Sequence, residues 1–280
     1  QWYASADGPW YVKNTLISDL CGDSKMIGGV GCWSALNPGI DMLMQYRYKG
    51  SNGQDKWEVI RRDATFVTPG VHYDYICIAE GGYTYDGTSS ILKKGVPGGP
   101  NDDNDGYVSD MNSPLNTYIV RLANIYLTYT EACLGNKESI SGDDIQYFNA
   151  LRRRAGIDEV ASVTLDDLIR ENRVEFSLEY QNWYYLIDIY KWKPEKMLAY
   201  FNNQYRGYTW DKIEMGENQE IKLVATEDWK TYEDTPIGPA IVPSVKANVT
   251  ANSIFLPYPE ADVIQNPLLK AEPEHYNFND

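Results

Sequence analysis

The chain has 280 residues, of which 43% are hydrophobic, so it can build one large domain or two small ones around a real core. Its formal net charge of −15 excludes nucleic acid and an anionic membrane surface as expected partners, because both require basic patches. No apolar run approaches the roughly 18 to 20 residues that span a bilayer, and no signal region is visible, so any targeting segment would lie outside this chain.

Residues 1–115 are rich in turn-forming residues. Sixteen of the 22 glycines precede residue 115, which predicts loops with short elements. A short helix is expected over 40–48, after Asn37-Pro38, and weak alternation predicts strands over 57–60 and 73–78. We expect this part to carry the ligand-binding loops.

Residues 116–192 have apolar positions at helical spacing, and capping chemistry marks the breaks. A first helix is predicted to end before Gly135, and a second to run from Asp143 or Asp144 to Gly156. The predicted buried face of the first helix comprises Ile119, Leu122, Ala123, Tyr126, Leu127 and Thr130. The sequence therefore predicts a helical core that consists of these two antiparallel helices and a third helix.

The third helix is predicted to begin after Thr164, the expected N-cap, with Asp167 three positions on as an imperfect capping box, and to run to Lys193-Pro194. Beyond it, residues 193–280 return to turns and extended segments. Strands are predicted over 221–224 and 253–257, and no fixed-period repeat is visible beyond the helical pair.

Three glutamates, Glu171, Glu175 and Glu179, recur every fourth residue within the predicted third helix. Paired carboxylates can cleave glycosidic bonds, but a sugar must then lie between them, and these three share one helix face. The alternative is a structural network in which arginines neutralise buried carboxylates, since an unpaired buried carboxylate is costly. We favour the network, with Arg121, Arg152 and Arg154, alongside Arg153, supplied by the neighbouring helices.

The helical region resembles the C-terminal half of the SusD/RagB family in the order and spacing of three motifs. The motifs lie at 121–132 (RLANIYLTYTEA), 151–156 (LRRRAG) and 171–179 (ENRVEFSLE). The tail at 255–269 is similar to the family's closing segment, and 62–66 (RDATF) resembles a short strand that precedes its central loop. The resemblance covers residues 37–278.

Four positions depart from the family pattern. The family usually has glutamate at Asn124, arginine at Asn172 and at Asn182, and aspartate at Tyr185. Because Asn182 and Tyr185 lie three apart on one predicted helix face, we interpret them as a structural pair that was replaced jointly.

The resemblance implies a mainly α, SusD-like fold over residues 1–280, with a helical pair, a long helix, extensive loops and a few short strands. It implies a protein of Bacteroidota that is not an enzyme, captures polysaccharide or oligosaccharide at the cell surface, and delivers it to a SusC-like TonB-dependent outer-membrane transporter. A lipid anchor on an N-terminal cysteine and a tetratricopeptide-like N-terminal half are also implied, and neither is present in this chain. The missing half would then be a partner, and without it helices 116–192 would expose an apolar face.

Two alternatives to glycan binding stay open. The same fold could bind peptides or another nutrient, since the family includes such members. A glycoside hydrolase that uses Glu171, Glu175 and Glu179 is the third hypothesis.

Aromatic residues are the expected glycan contacts, because sugar C–H faces stack on large rigid rings. The candidates on glycine-rich loops are Trp2, Tyr3, Trp10, Tyr11 and Trp33. A second candidate patch comprises Tyr205, Tyr208, Trp210 and Trp229.

No cofactor or metal is expected. Residues 101–112 imitate the first half of a calcium loop, but Asn112 occupies the position where such a loop carries glutamate, so an ordinary polar loop is favoured. The four cysteines have no zinc-binding spacing, and a disulfide between Cys21 and Cys32 stays an open alternative.

Overall fold

A computed structural model describes residues 20–29, 31–96, 98–99, 102, 118–204, 212–224, 231–232, 240–241 and 247–271. Within them the helices are α1 (Ile40–Met44), α2 (Val59–Thr65), α3 (Leu122–Leu134), α4 (Gln146–Arg154), α5 (Leu165–Glu175), α6 (Asn182–Trp192), α7 (Pro194–Asn202) and α8 (Glu260–Gln265). Single 3-10 turns lie at Ser24–Ile27, Ile78–Glu80, Gly142–Ile145 and Pro267–Lys270.

The described strands are short and pair antiparallel, two at a time. They are β1 (Arg47–Lys49) with β2 (Asp55–Trp57), β3 (Phe66–Val67) with β6 (Ile91–Leu92), β4 (His72–Tyr73) with β5 (Tyr83–Thr84), β7 (Ser139–Ser141) with β8 (Ser162–Thr164), β9 (Lys212–Met215) with β10 (Ile221–Val224), and β11 (Thr231–Tyr232) with β12 (Ala240–Ile241). Such ribbons are too small to form a core alone, so they pack with other elements. Strands β3 to β6 contribute Val67, Tyr73, Tyr83 and Ile91 to one cluster in the loop-rich part, whereas β7 and β8 contribute Ile140 and Val163 to the helical core.

Local predictions for the loop-rich part were only partly right. The helix expected over 40–48 is α1, which ends at Met44 because β1 begins three residues later. The segment 57–60 is strand only at Trp57, and residues 62–66 are mostly helical, since α2 occupies Val59–Thr65. A strand over 73–78 was also wrong, because Cys77 has a left-handed φ of 57° and a 3-10 turn follows it.

The helical core is built by α3, α4 and α5, which pack around Leu127, Phe148 and Leu168. The predicted end of α3 before Gly135 is confirmed. Ala123, Leu127 and Thr130 are buried as predicted. The predicted face was wrong at its start, since Ile119 and Leu122 are 82% and 62% exposed.

The predicted long third helix is two helices. The Thr164 hydroxyl accepts from Asp167 N, and the Asp167 carboxylate accepts from Thr164 N, so α5 begins with the expected capping box. It ends at Glu175, because Leu178 and Tyr180 have left-handed φ values of 66° and 62° that no α-helix accommodates. Glu179 therefore lies in a turn between α5 and α6 rather than on the face shared by Glu171 and Glu175.

A separate cluster connects the loop-rich part to the helices. Leu43, Phe66 and Leu92 from the first part pack with Val174 of α5 and Ile213 of β9. The strand predicted over 221–224 is confirmed as β10, whereas 253–257 forms turns and bends instead of a strand. Across the described ranges, none of the helices has the length and apolar character to cross a membrane.

Candidate functional site

A buried ion cluster joins α2, α3, α4 and α5. Arg121 donates from Nε and Nη2 to the two carboxylate oxygens of Glu179, at 2.8 and 2.9 Å. The same guanidinium donates through Nη1 to Glu175 Oε1 at 2.5 Å, and Arg154 contacts the same oxygen. Arg152 is less engaged, with Nη1 4.0 Å from Glu171 Oε2. The structure thus brings together all six residues of the network proposed from sequence.

The sequence did not reveal the cations from the loop-rich part. Arg61 donates to Glu171 at 2.5 Å and to Glu175 at 3.0 Å, and Lys94 lies 2.5 Å from Glu179. Arg61 also bonds to Glu58 at 2.7 Å. The strand predicted over 57–60 includes Glu58 and so conceals the helical i, i+3 spacing between Glu58 and Arg61, the signal that could have revealed this pair.

The electrostatics of the cluster favour a charged Glu175. Burial alone would raise the pKa of Glu175, but hydrogen bonds from Arg154 and Arg121, together with the charge of Arg61, lower it to about 2. Burial would lower the pKa of Arg121, yet Glu179 and Glu175 raise it. Glu175 and Arg121 are therefore both ionised at neutral pH, and each stabilises the charged form of the other.

The geometry gives the three glutamates a structural role. Their side chains are at most 4% exposed, and each faces arginine or lysine. A glycosidase needs a sugar between two carboxyl groups. Here guanidinium groups occupy the space beside the carboxylates, so the cluster offers a sugar no access.

A different region, in the loop-rich part, forms an open cavity of about 660 Å³. Two backbones approach closely at its wall, since a Cβ on Gly99 would lie 2.9 Å from Gly28 N. The polar and aromatic side chains lining it include Lys25, Glu80, Tyr83 and Thr84. This mixture of glycine backbone, hydroxyls and charges is suited to binding a polar ligand.

Trp33 lies on a loop that is held in place by the residues on either side of it. Its ring is 69% exposed. On one side Cys32 packs against the cluster of Met26 and Tyr83, and on the other Ser34 N donates to Cys21 O at 3.0 Å. The flanking anchors hold a large aromatic surface in solvent, which is the geometry needed for stacking against a sugar ring.

Most of the other binding residues proposed from the sequence lie outside the described part of the chain. Trp2, Tyr3, Trp10 and Tyr11 lie outside the described residues, as do Tyr205, Tyr208, Trp210 and Trp229. Of the loop 101–112 only Asp102 is described, and its carboxylate accepts from the backbone N–H groups of Cys77, Ile78 and Gly99 at 2.7 to 3.1 Å. The four cysteines, all within the described part of the chain, are free thiols.

Comparison with known proteins identifies the family. The SusD family model matches residues 73–275, well over half of the chain. The chain belongs to the SusD family. A curated SusD-like protein from Bacteroides ovatus is 52% identical over 275 residues, which are 98% of this chain and 49% of that protein.

Solved structures agree with the SusD-like fold predicted from sequence. A crystal structure with xylogluco-oligosaccharide is 50% identical, with a TM-score of 0.80, and the match covers 99% of this chain and 54% of that one. A SusD-like protein from Bacteroides fragilis is 16% identical with a TM-score of 0.58, covering 95% of this chain and 52% of that one, so it supports the fold alone. The mainly helical SusD-like fold class is thus confirmed. The chain spans about half the length of the curated relative.

Proposed function

We propose that this chain is the ligand-contacting portion of a cell-surface glycan-binding protein, with Trp33 as a stacking platform. The observation that carries the proposal is the exposed Trp33 ring on a loop fixed at Cys32 and Ser34. The cavity lined by Lys25 and by Tyr83, a member of the cluster against which Cys32 packs, supplies hydrogen-bonding groups for sugar hydroxyls. The relative solved with xylogluco-oligosaccharide supports a branched β-glucan as the first ligand to test.

We expect binding without chemistry. The one cluster of acidic residues that suggested a hydrolase is buried and ion-paired, as described above. Trp2, Tyr3, Trp10 and Tyr11 stay candidates for extending the platform along a polymer. In this proposal the bound glycan passes to a TonB-dependent transporter of the outer membrane, and a lipid anchor holds the protein at the cell surface.

The test is isothermal titration of the chain with xyloglucan oligosaccharides, starch oligosaccharides and a peptide mixture, with product analysis of each glycan. Trp33→Ala should weaken glycan binding about 30-fold, since truncating a central tryptophan removes about 2 kcal/mol. Trp183→Ala, which removes a 51% exposed tryptophan from α6, is the matched control and should bind normally. Equal affinities of the two variants would contradict the platform, a response only to peptides would favour the peptide hypothesis, and cleavage would favour an enzyme.

The proposed surface location has its own measurement. The full-length protein, expressed in a Bacteroidota host, should be labelled by a membrane-impermeant reagent on intact cells. It should also co-purify with a TonB-dependent transporter after mild detergent extraction. A fully protected protein in intact cells would refute the surface location.

A further inference from the structure

The thiols of Cys21 and Cys32 lie beside each other, directly before the exposed Trp33. A hydrogen bond links the two side chains. Cys32 also packs against the buried cluster of which Cys21 is a member. The other two cysteines have different neighbours, since Cys77 Sγ donates to a backbone carbonyl at 3.1 Å and Cys133 bonds to a tyrosine hydroxyl. Cys21 and Cys32 are therefore the cysteines placed to react with each other.

The backbone closes this loop without a covalent bond. Ser34 N donates to Cys21 O at 3.0 Å, two residues beyond Cys32. A 3-10 turn at Ser24–Ile27 reverses the chain between the two cysteines, and Met26 of that turn is buried. Because a disulfide requires its two Cβ atoms to lie about 4 Å apart, thiols that already touch need little backbone movement to bond.

The two thiols differ in access to solvent, which assigns them different roles in thiol–disulfide exchange. Cys32 is half-buried and lies between the exposed residues Gly31 and Trp33, so a reagent in solution can reach it. Cys21 is 0% exposed, and only its neighbour in the fold can reach it. Cys32 is therefore the attacking thiol and Cys21 the resolving thiol.

The exchange balances with a small-molecule disulfide as the oxidant. Cys32 Sγ, as the thiolate, attacks one sulfur of the small disulfide and breaks its S–S bond, and the released thiolate takes up the proton that Cys32 lost. Cys21 Sγ then attacks Cys32 Sγ and releases the second small thiolate, which takes up the Cys21 proton. The two cysteines are oxidised, and the small disulfide is reduced to two thiols.

The electrostatics of the pair make this exchange slow but the product durable. Burial raises the pKa of the Cys21 thiol to about 12. Burial, and then the charge of Asp23, raises the pKa of Cys32. Few thiolates are present at neutral pH, so the disulfide should form faster as the pH rises. The same high pKa values make both sulfurs poor leaving groups, so a reductant should break the bond slowly.

We propose that Cys21 and Cys32 form an oxidation site, at which a small-molecule disulfide converts the thiol pair into an intramolecular disulfide that closes the Trp33 loop covalently. The new bond restrains the residue directly before Trp33, and the hydrogen bond of Ser34 already restrains the residue directly after it. The consequence for ligands rests on the proposed function: a Trp33 that is fixed in advance loses less freedom on binding, so the oxidised chain should bind glycan more tightly.

The site is tested by incubating the chain with oxidised glutathione at pH 8.5 and digesting it with trypsin without reduction. Cleavage after Lys25 separates peptide 14–25, which contains Cys21, from peptide 26–47, which contains Cys32. We expect the two peptides joined, with a mass about 2 Da below their sum, and separated by dithiothreitol. Cys77→Ser should keep the link and Cys32→Ser should lose it. Persistent free thiols, a stable glutathione adduct on Cys32, or a link to Cys77 would each overturn the proposal.

The closure of the loop has its own measurements. Oxidation should raise the midpoint of thermal unfolding by about 5 °C in the wild type, since the bond constrains the unfolded chain. The midpoint of Cys32→Ser should not respond to the oxidant. The oxidised wild type should also bind xyloglucan oligosaccharides at least about threefold more tightly than the reduced form.

Failure of the disulfide and failure of the proposed function give different results. An unchanged midpoint, or equal glycan affinities of two redox forms that both bind, would overturn the closure of the Trp33 loop even where the disulfide is mapped. Absence of glycan binding in both redox forms would refute the proposed function instead. The peptide map and the unfolding midpoint decide on the disulfide in either case, because neither measurement involves a glycan.

Discussion

Replacing Glu175 with glutamine should strongly destabilise the fold. The carboxylate is 2% exposed, lies 2.5 Å from Arg121 and 3.0 Å from Arg61, and also contacts Arg154. A pKa lowered from an ordinary value of 4.5 to about 2 corresponds to about 3 kcal/mol at about 1.4 kcal/mol per pKa unit. Removing the charge also leaves buried guanidinium groups uncompensated, which costs a similar amount in other buried pairs, about 3 to 5 kcal/mol.

The same interaction predicts an acid dependence with a definite sign. Because the folded-state pKa of Glu175 lies below the unfolded one, the folded state binds fewer protons between them. Its contribution is fully present above about pH 4.5 and is lost as the pH falls towards about 2.

The assay is urea denaturation of both proteins at pH 7 and at pH 3, followed by tryptophan fluorescence. Glu175→Gln should lower the free energy of unfolding by about 3 kcal/mol at pH 7, and the loss should be smaller at pH 3. Glu159→Gln, which breaks the exposed pair with Arg153, is the control and should change stability by less than about 1 kcal/mol. A loss below about 1 kcal/mol in Glu175→Gln, or one that is unchanged at pH 3, would refute the reasoning.

Three further predictions concern local features. Thr164→Ala removes one half of the α5 capping box and should lower the unfolding free energy by about 1 kcal/mol, measured by the urea midpoint. Burial lowers the pKa of Lys93 to about 8 despite the charge of Asp63. Because the unfolded state then binds more protons, the stability of the wild type should rise between about pH 8 and 10.5. Denaturation curves of Lys93→Met across that range should lack this rise. Tyr180→Gly removes the strain of a left-handed tyrosine and should stabilise the fold by up to about 1 kcal/mol. Tyr184→Gly, within α6, is the control and should destabilise the fold by about 1 kcal/mol. Changes in stability of the same sign in thermal unfolding would contradict the strain argument.

The sequence was most predictive where local chemistry decides the structure. The capping box at Thr164 and the stop before Gly135 each depend on a few adjacent residues, and both were located correctly. The spacing of Glu171 and Glu175 also favoured opposing arginines, because a buried charge requires a partner.

Long-range contacts decided what the sequence could not show. Arg61 meets Glu171 across 110 residues of chain, and no local pattern specifies that contact. Leu178 and Tyr180 are ordinary helix residues by propensity, yet they adopt left-handed backbone so that Glu179 can reach Arg121. Tertiary ion pairing thus overrode helix propensity at this break.

Trp33 could be nominated as an exposed aromatic, but its anchoring could not be predicted. The residues on either side of Trp33 make the anchoring contacts. The Ser34 N–H donates to the Cys21 carbonyl, and Cys32 packs against the cluster that contains Tyr83.

The buried ion cluster also limits how genes for such proteins can recombine. Its cations come from Arg61, Lys94, Arg121 and Arg154, whereas the carboxylates that they neutralise lie between Glu171 and Glu179. Recombination between two such genes, at a point between the cations and the carboxylates, would combine cations from one protein with carboxylates from the other. Any mismatch would leave an unpaired charge in the interior. The loop that bears Trp33 lies outside the cluster, so its sequence can be exchanged without disturbing that balance. Under the proposed function, replacing this loop would change the ligand preference while the ionic core is inherited as one block.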